Sequence, residues 1–294
     1  MIGGGSHAQG SSSSRLVGLL GTGSTWDTVP YATKRGSRTL LYHVMANGRP
    51  RARRATRLRP GLALVRKASS ILPEVDARLC REYGDVRRGS TPLGNKRNPL
   101  DELIYIQLSV RTRETTYLNT YPRLRRLVGG VWERLLAVPD RVVLEILEPG
   151  GMSRVKLDRL RSQLWSLALL FGHATLAPLR KMGDLEAETV LRSLPGVGPK
   201  VARCVLLYSL DRDVFPVDSN CRRVLARLGL VPAKVHLKAG HDFLQTLVPT
   251  PIRRSLHVNL IRHGRDRCLP GTPRCTGCPL LILCPTGERR LRMP

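Results

Sequence analysis

From about residue 71 onward the apolar positions recur every three to four residues, and no stretch of useful length alternates apolar with polar. That period predicts an all-α fold. Leu157, Leu160, Leu164, Leu167 and Phe171 follow Ser153 at helical spacing and Gly172 stops them, which predicts one long helix between those two residues. Asn98-Pro99 ahead of LDELIYIQLSV reads as an N-cap, a proline at the first helical position, and Asp101 and Glu102 in the first turn. Further helices are predicted from Asp184 to near Ser193, over Lys200–Leu210, over Ser219–Leu228 before Gly229, and over Pro251–His263 before Gly264. No internal repeat is present.

Charge changes the picture at the N-terminus. The chain has 294 residues, 49 Lys+Arg against 22 Asp+Glu, and a formal net charge of +27. Residues 1–70 carry 12 of the basic residues and one acid, Asp27, with a Ser- and Gly-rich start and no sustained apolar period. The stretch reads as a disordered basic arm, as an organelle transit peptide, or as the product of a misplaced start codon. An excess of positive charge on this scale points to a polyanionic partner, nucleic acid before an acidic membrane surface. No uncharged apolar run reaches the ~18 residues that a membrane span requires, so a transmembrane protein is excluded, and DNA rather than a membrane is the expected partner. Seven cysteines are too few, and odd in number, for a secreted disulfide framework.

Four of those cysteines carry chemistry. Cys268, Cys275, Cys278 and Cys284 fall within 17 residues as C-x6-C-x2-C-x5-C. Zinc ordinarily takes two close C-x2–4-C pairs, and only one is present, flanked by single cysteines at longer steps. A 4Fe–4S cube has four separate iron corners and accommodates three unequal steps better. The cluster is therefore the expected cofactor and structural zinc the alternative. Cys80, Cys204 and Cys221 have no partner at ligand spacing and read as buried, inert thiols.

The second motif is Leu194-Pro195-Gly196-Val197-Gly198-Pro199-Lys200, between two predicted helices. Its glycines permit a tight hairpin whose backbone N–H groups face a phosphate at a helix N-terminus; by itself it is also compatible with a plain turn. It fits neither the Walker pattern nor G-x-G-x-x-G. With VDSN about twenty residues on and the cysteine quartet behind, residues 71–290 resemble the endonuclease III branch of the helix-hairpin-helix DNA glycosylases.

The resemblance implies a base-excision repair glycosylase of two all-α domains with duplex DNA in the cleft between them. A six-helix domain would span 98–212; 71–97 with 213–290 would form the cluster domain. The lysine that closes the hairpin is the family's nucleophile and falls on Lys200. The aspartate of the V-D-[ST] segment falls on Asp218. A lysine here implies abasic-site lyase activity beside base removal, with oxidised pyrimidines as the default substrate; a mismatch or modified-pyrimidine glycosylase is the alternative. Phe215–Asn220 is also similar to the corresponding stretch of plant 5-methylcytosine glycosylases. The family further implies a monomer on damaged or mismatched double-stranded DNA, in the nucleoid of a bacterium or in a nucleus or organelle.

Each residue has a plainer role beside its chemical one. Lys200 can be a phosphate contact, and Asp218 an N-cap for the helix at Ser219. As a nucleophile Lys200 must be a free amine, so a lowered pKa is expected. Gly196 and Gly198 are expected at the DNA backbone. Met152, before Arg154 in the Gly150–Arg154 loop, would wedge into the gap left by a flipped base, or the loop is a simple turn. Arg111 stands where best-known members have glutamine in L-S-x-Q-x-T-D; it plugs that gap or pairs with Glu114. Arg262, Arg265, Arg267 and Arg274, around the cysteines, are expected to face phosphate. A zinc deaminase is excluded, since no histidine begins H-x-E. A non-enzymatic DNA-binding module would keep the hairpin and cysteines without needing Lys200 and Asp218 together.

Overall fold

The computed structural model describes residues 60–231 and 237–292. Among these, eleven α-helices and no strand are present. The hydrophobic side chains bury into two cores. The first is built from α2 (Pro99–Ser109), α3 (Glu114–Leu127), α4 (Asp140–Leu147), α5 (Ser153–Phe171), α6 (Asp184–Ser193) and α7 (Pro199–Ser209). The second joins α1 (Leu62–Tyr83) to α8 (Ser219–Arg227), α9 (Leu237–Leu247) and α10 (Arg253–Asp266), which follow far later in the chain. A last helix, α11 (Pro285–Arg292), closes behind the cysteines.

The capping signals act as the sequence predicts. Asn98 Oδ1 accepts the Leu100 and Asp101 N–H groups at 2.9 and 3.2 Å, with Pro99 at N1 of α2. Helix α5 ends on Gly172 at φ 80, a left-handed conformation that a side chain resists.

Two expectations change. Residues 62–70 belong to α1, so the helical part begins ahead of residue 71; residues 1–59 of the predicted arm lie outside the described residues. Arg66 and Lys67 blur the apolar period there, and what holds the turn is tertiary burial: Ala68, Leu72, Val75 and Leu79 are all inside the second core. Gly264 does not end α10, which runs on to Asp266. A Cβ at Gly264 would lie 2.7 Å from the Asn220 Cβ, so this glycine lets α8 close onto α10. The α1–α10 pairing is pinned by polar contacts as well. Ser255 Oγ donates to Asp76 at 3.0 Å and Arg262 donates to the Tyr83 carbonyl at 2.8 Å.

Candidate active site

The hairpin between α6 and α7 is held from behind by two glutamines. Gln163 Nε2 donates to the Pro195 carbonyl at 2.7 Å and Gln107 Nε2 to the Gly196 carbonyl at 3.4 Å. Gly196 has φ +72, and a Cβ there would meet Arg159 Cδ at 2.8 Å. Gly198 caps α7 without a side chain and has open space in front of it. Pro199 lacks an N–H and sits at the helix position where none is needed. Lys200 is thereby placed on the first turn of α7, half-buried.

Lys200 and Asp218 line one cleft of about 870 Å³, together with Asn95, Arg111, Tyr208 and His257. Asp218 caps α8, its Oδ1 accepting the Cys221 N–H at 2.7 Å while Asn220 Nδ2 donates to Oδ2 at 3.0 Å. The capping role predicted as its plainer alternative is real, and it fixes the carboxylate in the cleft. Burial pushes this carboxyl up, but His257, the Cys221 N–H, Asn220 and Lys200 prevail and hold it below the usual value.

Lys200 does not have the lowered pKa that its role suggests. Burial works to lower it, yet the Cys204, Asp218 and Glu102 groups around it prevail and hold it above the ordinary lysine value. The free protein thus stores Lys200 as an ammonium beside an ionised Asp218. Burial pushes the Cys204 thiol up to about 11 against the pull of Lys200. Burial lowers the pKa of His257 to about 4, against the pull of Asp218.

Glu102, read from the sequence as a first-turn acid, is fully buried, and burial pushes its pKa up to about 7. Its oxygens accept Asn95 Nδ2 at 2.7 Å and the Lys96 N–H at 2.6 Å. Sequence reasoning missed Asn95, Glu102, Tyr208 and His257. Tyr208 lies on the same face of α7 as Lys200, two i,i+4 steps along through Cys204, a spacing that could have found it; Asn95, Glu102 and His257 sit on other elements and only the folded cleft selects them.

Two loops at the rim hold the candidate DNA-invading residues. Arg111 follows α2 and Met152 precedes α5, both exposed and both left-handed, at φ 51 and 52. Such a conformation in a non-glycine residue costs about 1–3 kcal/mol unless the surroundings enforce it. Lys156 supplies the enforcement. It is 5% exposed, and Nζ donates to Thr112 Oγ1 at 2.5 Å and to the Gly150 carbonyl at 2.8 Å, tying one loop to the other. Lys156→Met should cost about 1–3 kcal/mol in urea unfolding, since it removes a charged donor from both loops and leaves the Gly150 carbonyl only the Thr112 hydroxyl, at 3.0 Å. A cost below about 0.5 kcal/mol would show the tie to be idle.

The other predicted contacts are partly committed elsewhere. Glu114 pairs with Arg265 at 2.5 Å, so it is not the partner expected for Arg111. Arg154 pairs with Asp140. Arg267 pairs with Glu82 at 3.3 Å and donates to the Gly277 carbonyl at 3.2 Å. Arg274 is exposed beside the cysteines.

Cys268, Cys275, Cys278 and Cys284 are all free thiols and line one small cavity, with Val224, Leu228 and Leu280 forming its apolar wall. Arg227 Nη1 lies 3.0 Å from Cys268 Sγ, and the Gly287 N–H donates to Cys284 Sγ at 3.4 Å. Donors aimed at sulfur suit thiolate ligands. Among the described residues no three Cys, His, Asp or Glu side chains converge as ligands of a single ion.

No family model matches the chain. It is 37% identical over 150 residues to endonuclease III of Bacillus subtilis, covering 48% of this chain and 68% of that one. The chain belongs to the endonuclease III family. Its fold agrees: a solved endonuclease III–DNA complex superposes with a TM-score of 0.64 at 23% identity, covering 76% of this chain and 98% of that one. A thermostable thymine-DNA glycosylase gives 0.62 at 20% identity, covering 77% and 99%. This endonuclease III family member is also 28% identical over 166 residues to DNA glycosylase/AP lyase ROS1 of Arabidopsis thaliana, covering 51% of this chain and 12% of that one. Among such relatives it spans only part of their length, 56% of one Arabidopsis protein and 13% of DEMETER-like protein 2. Among the described residues no helix is long and apolar enough to cross a membrane.

Proposed function

We propose that this endonuclease III family protein is a DNA glycosylase with abasic-site lyase activity, acting as a monomer on duplex DNA that carries a damaged or mismatched pyrimidine. The observation that carries the reading is the placement of Lys200 and Asp218 in one cleft, at the first turns of two helices. A base within a duplex is out of reach, so the nucleotide must be flipped into the cleft at a cost of a few kcal/mol. Met152 and Arg111 stand at the rim to occupy the gap, and the hairpin amides before Lys200 take a phosphate.

The opposite charges stored at Lys200 and Asp218 set the first step. A nucleotide filling the cleft expels water, and desolvation lowers the Lys200 pKa while raising that of Asp218. The proton passes from the ammonium to the carboxylate and leaves a free amine. Lys200 Nζ then bonds to the sugar C1′ as the glycosidic bond breaks, and the electron pair departs with the base, which takes up the proton held by Asp218. The sugar ring opens to an imine on Lys200. Loss of a C2′ proton expels the 3′-phosphate and cuts the strand.

Cys268, Cys275, Cys278 and Cys284 would hold a 4Fe–4S cluster, which when bound ties the chain after α10 into a fixed loop. Protein purified anaerobically should contain about four irons per chain and absorb broadly in the visible range. Stoichiometric zinc without iron would overturn the assignment. A protein working on DNA belongs in a nucleoid, nucleus or organelle.

Oxidised pyrimidines are the first substrate class to test. The likeness to ROS1 supports a second, 5-methylcytosine. Defined duplexes carrying thymine glycol, uracil, a thymine mismatch or 5-methylcytosine, incubated with borohydride, decide between them. Failure to form a covalent adduct on any of them, or on abasic DNA, would refute the glycosylase–lyase reading.

A further inference from the structure

Three polar side-chain atoms of the cleft are buried and have no hydrogen-bond partner: Asn95 Oδ1, the Tyr208 hydroxyl and His257 Nε2. Asn95 is 5% exposed, Tyr208 4% and His257 0%. A buried polar group left without a partner costs about 1–3 kcal/mol, so three at one site call for a ligand that satisfies them. The orientation of the Asn95 amide is not free. Its Nδ2 donates to Glu102 Oε1 at 2.7 Å, and the other Glu102 oxygen takes the Lys96 N–H at 2.6 Å. With the Glu102 carboxyl ionised both its oxygens accept, so the amide turns its NH2 to Glu102 and leaves Oδ1 without a partner. Asn95 is thus a fixed acceptor, and the Tyr208 hydroxyl, a rotor, is free to donate.

Resting on the glycosylase reading above, we infer that Asn95 is a specificity-determining residue that accepts the ring N–H of a flipped uracil- or thymine-type base, with Glu102 as the residue that positions its amide. The count of N–H groups selects this edge. A uracil-type base presents one N–H between two carbonyls and matches one fixed acceptor with hydroxyl or imidazole donors beside it. The cytosine and adenine edges present two N–H groups and the guanine edge three, and each leaves donors unmet against a single acceptor. Asn95 lies just before α2 and Glu102 in it, on a different element from the hairpin and from Asp218.

The full-length protein is tested on duplexes carrying 5-hydroxyuracil or 5-hydroxycytosine, which differ only at this edge, with borohydride trapping on abasic DNA as the measure of intact Lys200 chemistry. The wild-type protein should excise 5-hydroxyuracil faster. Asn95→Leu should slow that excision about 10- to 100-fold while trapping stays within about threefold. Glu102→Gln is the sharper variant. Its Oε1 keeps the Lys96 N–H and its Nε2 donates to Asn95, whose amide must then reverse and offer NH2 to the cleft. The preference should swing toward 5-hydroxycytosine, whose ring nitrogen accepts, by about tenfold or more.

Wild-type excision of 5-hydroxyuracil by Asn95→Leu would overturn the inference. So would an unchanged preference in Glu102→Gln, or equal loss of excision and trapping in both variants, which would mark the pair as merely structural. Faster excision of 5-hydroxycytosine or 5-methylcytosine by the wild type would overturn it too, leaving the glycosylase reading standing. No trapping by the wild type on abasic DNA would bring down both.

Discussion

Lys200→Ala should yield no borohydride-trapped complex on abasic or lesion-bearing DNA, and no strand cleavage by β-elimination. In the proposed reaction the amine bonds to the sugar carbon, and no other lysine lines the cleft among the described residues. Duplex binding should survive, because the hairpin amides and the rim residues that approach the backbone are untouched. The wild-type rate carries a second signature. Lys200 is held above the ordinary lysine value in the free protein by its acidic surroundings, so below that value the free-amine fraction grows as pH rises. Trapping under subsaturating DNA should therefore accelerate by up to about tenfold per unit between about pH 6 and 9. At saturating DNA the slope should flatten, because the proton then moves within the pair to Asp218. Retained trapping in Lys200→Ala would remove this residue from the chemistry; a pH-independent subsaturating rate would remove the stored ammonium from the mechanism.

The parts of this site that the sequence shows are those with a local physical cause. The hairpin is legible because two glycines, two prolines and a lysine have few other uses at that spacing. Asp218 is legible because an aspartate before a helical period is an N-cap. The cysteines are legible by crowding alone. Glu102 shows the limit. From the sequence it is one of two acids at a helix start, favourable through the helix dipole, and Asp101 beside it remains nearer that role. That Glu102 instead points inward and orients Asn95 depends on how α2 packs along α7, a relation between residues about one hundred apart. Lys156 is similar: a lysine inside a basic helix reads as solvated until the Thr112 and Gly150 loops close around it. Gly264 misleads for a related reason, since a glycine after a helical run signals an end only if no other helix needs the space.

Asp218→Asn should separate the two roles that meet in one side chain. Asparagine and aspartate are nearly equal as N-caps, so the Cys221 N–H keeps its acceptor and α8 its first turn. Unfolding free energy should therefore move by less than about 1 kcal/mol. The charge is what disappears. Without a carboxylate there is no acceptor for the Lys200 proton, and nothing offsets the positive charge that builds on the sugar as the glycosidic bond stretches. Loss of a positioned base or acid of this kind slows reactions about 10²–10⁴-fold, and base excision under single-turnover conditions should fall within that range. Affinity for the lesion duplex should change little, since the carboxylate stabilises a charge that the ground state lacks. The Lys200 pKa should shift with it. Removing the nearby anion leaves burial with less opposition, so the amine forms at lower pH and trapping on pre-formed abasic DNA should fall less than excision does. Equal losses in binding, stability and rate would assign Asp218 to the cap alone, whereas a rate loss confined to excision places the carboxylate at the breaking bond.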